Sequence, residues 1–256
     1  MTCLSVNLNK VALMRNARGG ARPDVQRLAR ACVEAGAAGI TLHPRPDGRH
    51  ARAADVMALA DWLPAAGAEL NVEGNPFAEA GPAGAYAFPG FLAILREARP
   101  VQATLVPDAA DQLTSDHGWD LDRDGDRLEP IIADLKCRGC RVCLFVDPAP
   151  EAIRKAAALG ADRVELYTGP YAVAAARGEA AASLEGYRAA AEAAQAAGLG
   201  VNAGHDLDLD NLGPFLAAVP HVAEVSIGQA LVADALEMGL PEAVRRYLGV
   251  IAATSQ

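Results

Sequence analysis

Short β-type runs alternate along the chain with longer stretches in which hydrophobic positions recur every three to four residues. The first pattern fits a buried strand and the second an amphipathic helix. Strands are predicted over Leu4–Asn9, Gly39–His43, Glu69–Glu73, Gln102–Pro107, Arg141–Asp147, Arg163–Thr168, Gly200–His205 and Glu224–Gly228. Between them, helical periodicity runs through Asp24–Ala37, Ala51–Ala66, Leu128–Arg138, Pro150–Leu159 and Ser183–Ala197. Gly36, Gly139, Gly160 and Gly198 follow helical stretches where a left-handed C-cap is expected. Eight strands, each followed by a helix, fit a closed (β/α)8 TIM barrel better than an open doubly wound sheet. No dinucleotide fingerprint stands at the first turn to favour the open sheet.

Two connections are unusually long and leave the C-terminal ends of strands: Gly74–Gly90, rich in Gly, Pro and Ala, and the Asp-rich Asp108–Asp126. Barrel enzymes build substrate loops from extra loop and helix elements at this face. A passive insertion is the competing reading, because long surface loops cost little stability. The polar rim position favours a functional role for Asp108–Asp126.

The length of 256 residues suits one barrel domain spanning 1–256, and 52% hydrophobic with 21% charged residues is an ordinary globular composition. A net charge of -9 argues against nucleic acid as a partner, although local donors can still bind a small phosphate. No apolar run is long enough for a bilayer, and the N-terminus lacks a signal peptide's apolar stretch, so no membrane partner and a cytoplasmic location are expected. The five cysteines read as reduced thiols. Cys137, Cys140 and Cys143 match a metal-type spacing. A helix end, a turn and a strand would carry them apart, so no metal is expected.

The polar residues at the strand ends carry the chemistry. Asn7, Asn9 and Lys10 end the first predicted strand, and His43, Arg45, Asp47, Arg49 and His50 follow the second. Glu73 ends the third, Glu165 and Thr168 the sixth, and Asn202 and His205 the seventh. A lone strand histidine is usually structural, but a barrel would bring His43, Glu73 and His205 into one mouth. Those groups can transfer protons near neutral pH. Arg18, Arg45 and His50 supply donors for phosphate, with a solvated loop charge as the plain alternative for Arg18. The runs Asn202-Ala203-Gly204-His205 and Ser226-Ile227-Gly228-Gln229 suggest a second anion site on backbone N–H groups. Lys10 can be read as a Schiff-base nucleophile or as a plain donor, and the donor reading is preferred.

Val6-Asn7-Leu8-Asn9-Lys10-Val11-Ala12-Leu13-Met14-Arg15-Asn16-Ala17-Arg18-Gly19 resembles the opening of the pyridoxine 5'-phosphate synthase family. The stretch His43-Pro44-Arg45-Pro46-Asp47-Gly48-Arg49-His50 is similar to that family's H-x-R-x-D-x-R-H pattern. Asn71-Val72-Glu73, Leu105-Val106-Pro107, Glu165-Leu166-Tyr167-Thr168-Gly169 and Val201-Asn202-Ala203-Gly204-His205 extend the likeness along essentially the whole chain.

The resemblance implies a transferase-type, ring-closing step of vitamin B6 biosynthesis without a cofactor. In it, 1-deoxy-D-xylulose 5-phosphate and 3-amino-2-oxopropyl phosphate give pyridoxine 5'-phosphate, inorganic phosphate and water. It further implies His43 and Glu73 as proton acceptors, His205 as a donor, and Glu165 as the group that stabilises positive charge. Arg45, His50 and Thr114, helped by Asn9 and Lys10, would hold the pentulose phosphate. Asn7, Arg18, Gly228 and the Asp206 backbone, beside Gln229, would hold the amino-ketone phosphate. A homo-octamer is implied, with Arg18 reaching toward a neighbouring subunit.

The chain departs from the family at four places, one of them the Gly74–Gly90 loop, which is longer than usual. Asn9-Lys10 stands where Asp-His is common and resembles a variant subgroup opening with Asn-Lys, while Gln229 stands where His is common. Asp108-Ala109-Ala110 replaces a stretch that commonly carries Lys and Arg. The competing functions are a lysine-dependent aldolase-type barrel acting through Lys10 and a non-catalytic barrel that binds a B6 phosphate. A pure binder would not need His43, Glu73 and His205 together.

Overall fold

The computed structural model describes residues 1–83, 86–109 and 112–254. Eight parallel strands close into a barrel. They are β1 (Cys3–Asn7), β2 (Gly39–Leu42), β3 (Glu69–Gly74), β6 (Gln102–Leu105), β7 (Arg141–Val146), β8 (Arg163–Leu166), β9 (Gly200–Ala203) and β10 (Val222–Ile227). Each pairs with its neighbours in the order of the chain, and β10 returns to pair with β1, so no sheet edge is left open. The closed (β/α)8 barrel expected from the alternating pattern is the observed fold. Except at β3, which ends one residue beyond the predicted Glu73, the predicted strands run longer than the observed ones at their C-terminal ends, where the polar residues turn out of the ladder. Asn9 and Lys10 in particular open helix α1 (Asn9–Asn16) instead of ending β1.

The helices around the barrel are α2 (Val25–Glu34), α3 (Ala53–Ala60), α4 (Phe91–Ala98), α5 (Leu121–Cys137) and α6 (Pro150–Ala158). They continue with α7 (Gly169–Ala176), α8 (Ala180–Ala196), α9 (Leu212–Ala218), α10 (Gln229–Met238) and α11 (Leu240–Thr254). The four expected C-cap glycines all have positive φ, between 76° and 108°. Helix α5 begins seven residues before the predicted Leu128 because Asp120 caps it, accepting from the Arg123 N–H. The predicted helix over Ala51–Ala66 is broken at Asp61 and resumes as a 3-10 turn at Pro64–Ala66.

Strand alternation sorts the side chains. Leu4, Val6, Ile40, Leu42, Leu70 and Val72 are buried in the apolar layer under the helices. The intervening residues face one another inside the barrel and are polar. Ser5 Oγ lies 2.7 Å from Thr41 Oγ1, Ser226 Oγ donates to Thr41 Oγ1 at 3.1 Å, and Thr104 Oγ1 donates to Asn71 Oδ1 at 3.1 Å. At the N-terminal end, Arg163 Nη1 donates to Glu224 Oε2 (3.1 Å) and Asn202 Oδ1 (2.9 Å), while Gln102 Nε2 donates to Glu224 Oε1 (3.2 Å). This plug is satisfied only as a set. Glu224→Ala therefore strips a buried cation of its partner and should lower unfolding stability by about 3 kcal/mol. A urea melt checks it.

Neither long connection is a bare insertion. Gly74–Gly90 carries an antiparallel hairpin, β4 (Gly81–Ala83) with β5 (Tyr86–Phe88). The hairpin packs on the loop after β2: a Cβ at Gly48 would stand 2.8 Å from Ala83 O. The connection from Val106 to Asp120 is tied down at both ends. Asn75 Nδ2 donates to Asp108 O (3.0 Å), and Trp119 donates from N to Phe145 O (3.0 Å) and from Nε1 to Leu105 O (2.8 Å). Gly84, Ala85, Ala110 and Asp111, within the two stretches singled out in the sequence, lie outside the described residues, as do Ser255 and Gln256. The C-x2-C-x2-C run diverges as its pattern predicts: Cys137 ends α5, Cys140 lies in the turn, and Cys143 is buried in β7.

Candidate active site

The opening motif builds one wall of the mouth. Asn7 Oδ1 accepts the Asn9 N–H (3.0 Å), which starts α1, and Asn9 Oδ1 accepts the His43 N–H (2.7 Å), which fixes the end of β2. At the other end of α1, Asn16 Nδ2 donates to the carbonyls of Gly48, Arg49 and His50 at 3.1, 3.0 and 2.7 Å. One helix therefore clamps both ends of the His43–His50 loop. This explains why two long motifs far apart in sequence form a single surface.

A cavity of about 290 Å³ opens at the C-terminal ends of the strands. It brings together Asn7, Asn9, Lys10, His43, Arg45 and His50 from the first two units with Glu73, Thr114, Glu165, His205, Asp206, Gly228 and Gln229. Asn7 Nδ2 donates to Glu73 Oε2 at 3.3 Å, and His43 Nδ1 stands 3.8 Å from the same oxygen, too far for a hydrogen bond. Thr114 Oγ1 and His205 Nε2 are 2.9 Å apart.

The environment sorts these groups by charge. Burial raises the Glu73 carboxyl to about 7, into the range of a general base working near neutral pH. Burial, then the charges of Glu73 and Glu224, push Glu165 well above the usual carboxylate range, which keeps it protonated. Burial and the neighbouring Arg45 hold His43 well below the usual histidine value, and the same causes take His50 to about 3. Both rings are therefore neutral. Burial, then Arg49 and Arg45, also lower Lys10.

Arg45 is the buried anchor of the basic side. Its Nη2 donates to Asp108 Oδ2 and its Nη1 to Gln112 O (3.0 Å), while Ser115 Oγ donates to the same Asp108 oxygen (2.7 Å). Arg49 Nη2 donates to Gln112 O (2.6 Å) and Leu113 O (3.0 Å). Arg45 Nε and His50 Nδ1 are buried without a protein partner among the described residues, and both residues line the cavity together with Lys10. An unpaired guanidinium N–H beside a lysine fits an incoming phosphate. On the other side of β1, α10 starts at Gln229 directly after Gly228, so its N-terminal N–H groups lie at the mouth. A Cβ at Gly228 would press on the Asn7 side chain at 3.1 Å.

The family model for the pyridoxal phosphate biosynthesis protein PdxJ matches residues 4–253. The chain belongs to this family. Among PdxJ-type relatives, a pyridoxine 5'-phosphate synthase of Xanthomonas campestris pv. campestris (strain B100) is 59% identical over 251 residues, spanning 98% of this chain and 96% of its own length. A pyridoxine 5'-phosphate synthase of Xylella fastidiosa (strain 9a5c) is 55% identical over 250 residues, with coverage of 98% and 95%. Solved structures are more distant. A thiamine phosphate pyrophosphorylase from Pyrococcus furiosus superposes with a TM-score of 0.60 at 14% identity, covering 99% of this chain and 96% of its own. A Mycobacterium tuberculosis tryptophan synthase chain gives 0.62 at 19%, with coverage of 99% and 92%. These two likenesses concern the fold alone.

Of the catalytic and substrate-binding residues that the resemblance implies, all but Arg18 line the mouth. Asp47, Arg49 and Thr168 do not, and Asn202, read as part of a second anion site, lies instead in the plug at the N-terminal end. Arg18 is exposed beyond the end of α1 and outside the cavity. The Asp206 N–H, expected toward a phosphate, donates instead to Thr168 Oγ1 (3.3 Å). Sequence reasoning missed the Arg45–Asp108–Ser115 link, the pocket-lining Leu113 and the Asn16 clamp. Asp108 was visible only as a departure from the basic residues common at that place. A carboxylate aimed at an arginine from another unit leaves no local pattern.

Proposed function

We propose that this chain is a pyridoxine 5'-phosphate synthase, condensing 1-deoxy-D-xylulose 5-phosphate with 3-amino-2-oxopropyl phosphate. The observation that carries the reading is the cavity itself. It sets a carboxyl poised near neutrality, a neutral histidine and a second histidine between two anion-binding walls. Arg45, His50 and Thr114, with Asn9 and Lys10, hold the pentulose phosphate. Asn7, Gly228 and Gln229 at the start of α10 hold the amino-ketone phosphate. Arg18 serves a neighbouring subunit's site in a homo-octamer, and Asn9-Lys10 marks the variant subgroup. The protein works in the cytoplasm.

In this reading the amine attacks the pentulose ketone, and water leaves as the imine forms. Glu73 and His43 take protons from the carbon skeleton, inorganic phosphate departs, and carbon–carbon closure with a further loss of water completes the ring. His205 gives the proton that lets hydroxide leave as water. Glu165, whose proton is favoured by burial, ionises when a cationic imine comes beside it and then stabilises that charge.

A pH profile of kcat/KM checks the assignment of acid and base. A base must be deprotonated, so activity should rise as pH increases through about 7, where Glu73 loses its proton. An acid must be protonated, so activity should fall again as pH passes the raised pKa of His205. A flat profile through neutrality would remove Glu73 from the base role. The reaction class is tested by release of inorganic phosphate from the purified protein. Release is expected only when both substrates are present, and release from either alone would contradict a condensation.

A further inference from the structure

His205 and Asp206 are consecutive residues in the turn after β9, and their side chains meet: His205 Nδ1 lies 2.8 Å from Asp206 Oδ2. The other ring nitrogen, Nε2, is the one at Thr114 Oγ1 on the cavity side. An ionised carboxylate only accepts, so Nδ1 must carry a proton whether the ring is neutral or cationic. Nε2 is then the nitrogen that gains and loses the exchangeable proton. The pairing is built into the backbone. Gly204 approaches β10 so closely that a Cβ there would stand 2.0 Å from Ser226 O. Thr168 Oγ1 donates to Gly204 O (3.2 Å) and accepts the Asp206 N–H, and Asn211 Nδ2 donates to Asp206 O (3.3 Å).

We propose that Asp206 is a positioning residue for the condensation: its carboxylate fixes the Nδ1–H form of His205 and keeps the ring cationic, so that Nε2–H faces the substrate as the proton donor. The contrast with His43 makes the point. Both rings sit in one mouth, but among the described residues only His205 has a carboxylate within hydrogen-bond distance, since Glu73 stands 3.8 Å from His43. The groups facing His205 are Asp206 from its own turn, Glu73 from β3, Asp108 and Thr114 from the β6–α5 connection, and His43 after β2. Burial alone pulls the His205 pKa down. The Asp206 hydrogen bond and charge, then Glu73 and Asp108, outweigh it and leave the value raised. Two histidines in one cavity are thereby shifted in opposite directions, one toward accepting a proton and one toward giving it.

The catalytic half of this inference rests on the synthase reading, whereas the His205–Asp206 pairing can be measured without substrate. The experiment is a pH titration of histidine-labelled protein by NMR, with the His205 signal assigned by its loss in His205→Gln. Native protein, Asp206→Asn and Asp206→Glu are compared, and kcat is followed over the same pH range. The native ring should show the Nδ1–H form when neutral. In Asp206→Asn its pKa should fall, the alkaline limb of kcat should move to lower pH, and kcat at neutral pH should drop about tenfold with KM little changed. Asp206→Glu should restore part of each effect. An unchanged His205 titration in Asp206→Asn would overturn the pairing whatever the activity. A shifted titration with an unmoved alkaline limb would overturn the donor role. Absence of product from native protein would instead refute the synthase reading and leave the titration to decide the pairing.

Discussion

Glu73→Gln is expected to lower kcat by about three orders of magnitude, roughly 4 kcal/mol of barrier, while leaving both KM values near native. The amide keeps the shape of the carboxylate and still offers an oxygen to Asn7 Nδ2, now at 3.3 Å from Glu73 Oε2, so packing of the mouth should survive. What is lost is a carboxyl that burial brings to about 7. His43, held neutral by burial and Arg45, is the weaker of the two bases and serves a different proton, so it does not replace Glu73. Steady-state and single-turnover kinetics distinguish a lost chemical step from slow product release. A variant with kcat within a few fold of native would show that Glu73 is not the base.

Arg45→Ala should reduce kcat/KM for the pentulose phosphate by about two orders of magnitude and affect the amino-ketone phosphate far less. Two losses combine. The phosphate loses a forked donor, and the connection over the mouth loses its anchor, since Arg45 holds both Asp108 and the Gln112 carbonyl. Removing the guanidinium also leaves the Asp108 carboxylate buried with only Ser115 to support it. Arg45→Lys separates the two effects, because lysine keeps the charge without the planar fork and should recover only part of the loss. Varying each substrate at saturating levels of the other measures the asymmetry. Equal losses for both substrates would contradict the division of the mouth into two walls.

The barrel was legible because each β/α unit obeys local rules. Alternating strands, periodic helices and glycines at the helix ends are all written within a few residues of one another. The candidate site was legible for a related reason: strand ends in this fold converge, so His43, Glu73 and His205 could be placed in one mouth without knowing any side-chain contact. Contacts between units were not legible. Asn16 reaching three carbonyls of the His43–His50 loop, and Asp108 reaching Arg45, depend on the spacing of elements in three dimensions. Most strand boundaries failed at the C-terminal end. The periodicity carries Asn9 and His205 into strands, whereas Asn7 Oδ1 accepting the Asn9 N–H and Thr168 Oγ1 donating to Gly204 O accompany the turn of the backbone out of the ladder. The polar barrel interior was equally hidden, because serine, threonine and asparagine at alternate strand positions look like any solvent-facing row.

The most direct measurement of the central claim is product identity. Purified protein is mixed with 1-deoxy-D-xylulose 5-phosphate and 3-amino-2-oxopropyl phosphate, and the reaction is followed by absorbance and mass spectrometry. The account predicts accumulation of pyridoxine 5'-phosphate, matched one for one by inorganic phosphate and abolished with either substrate omitted. Consumption of both substrates without an aromatic product, or no consumption by folded protein, would contradict it.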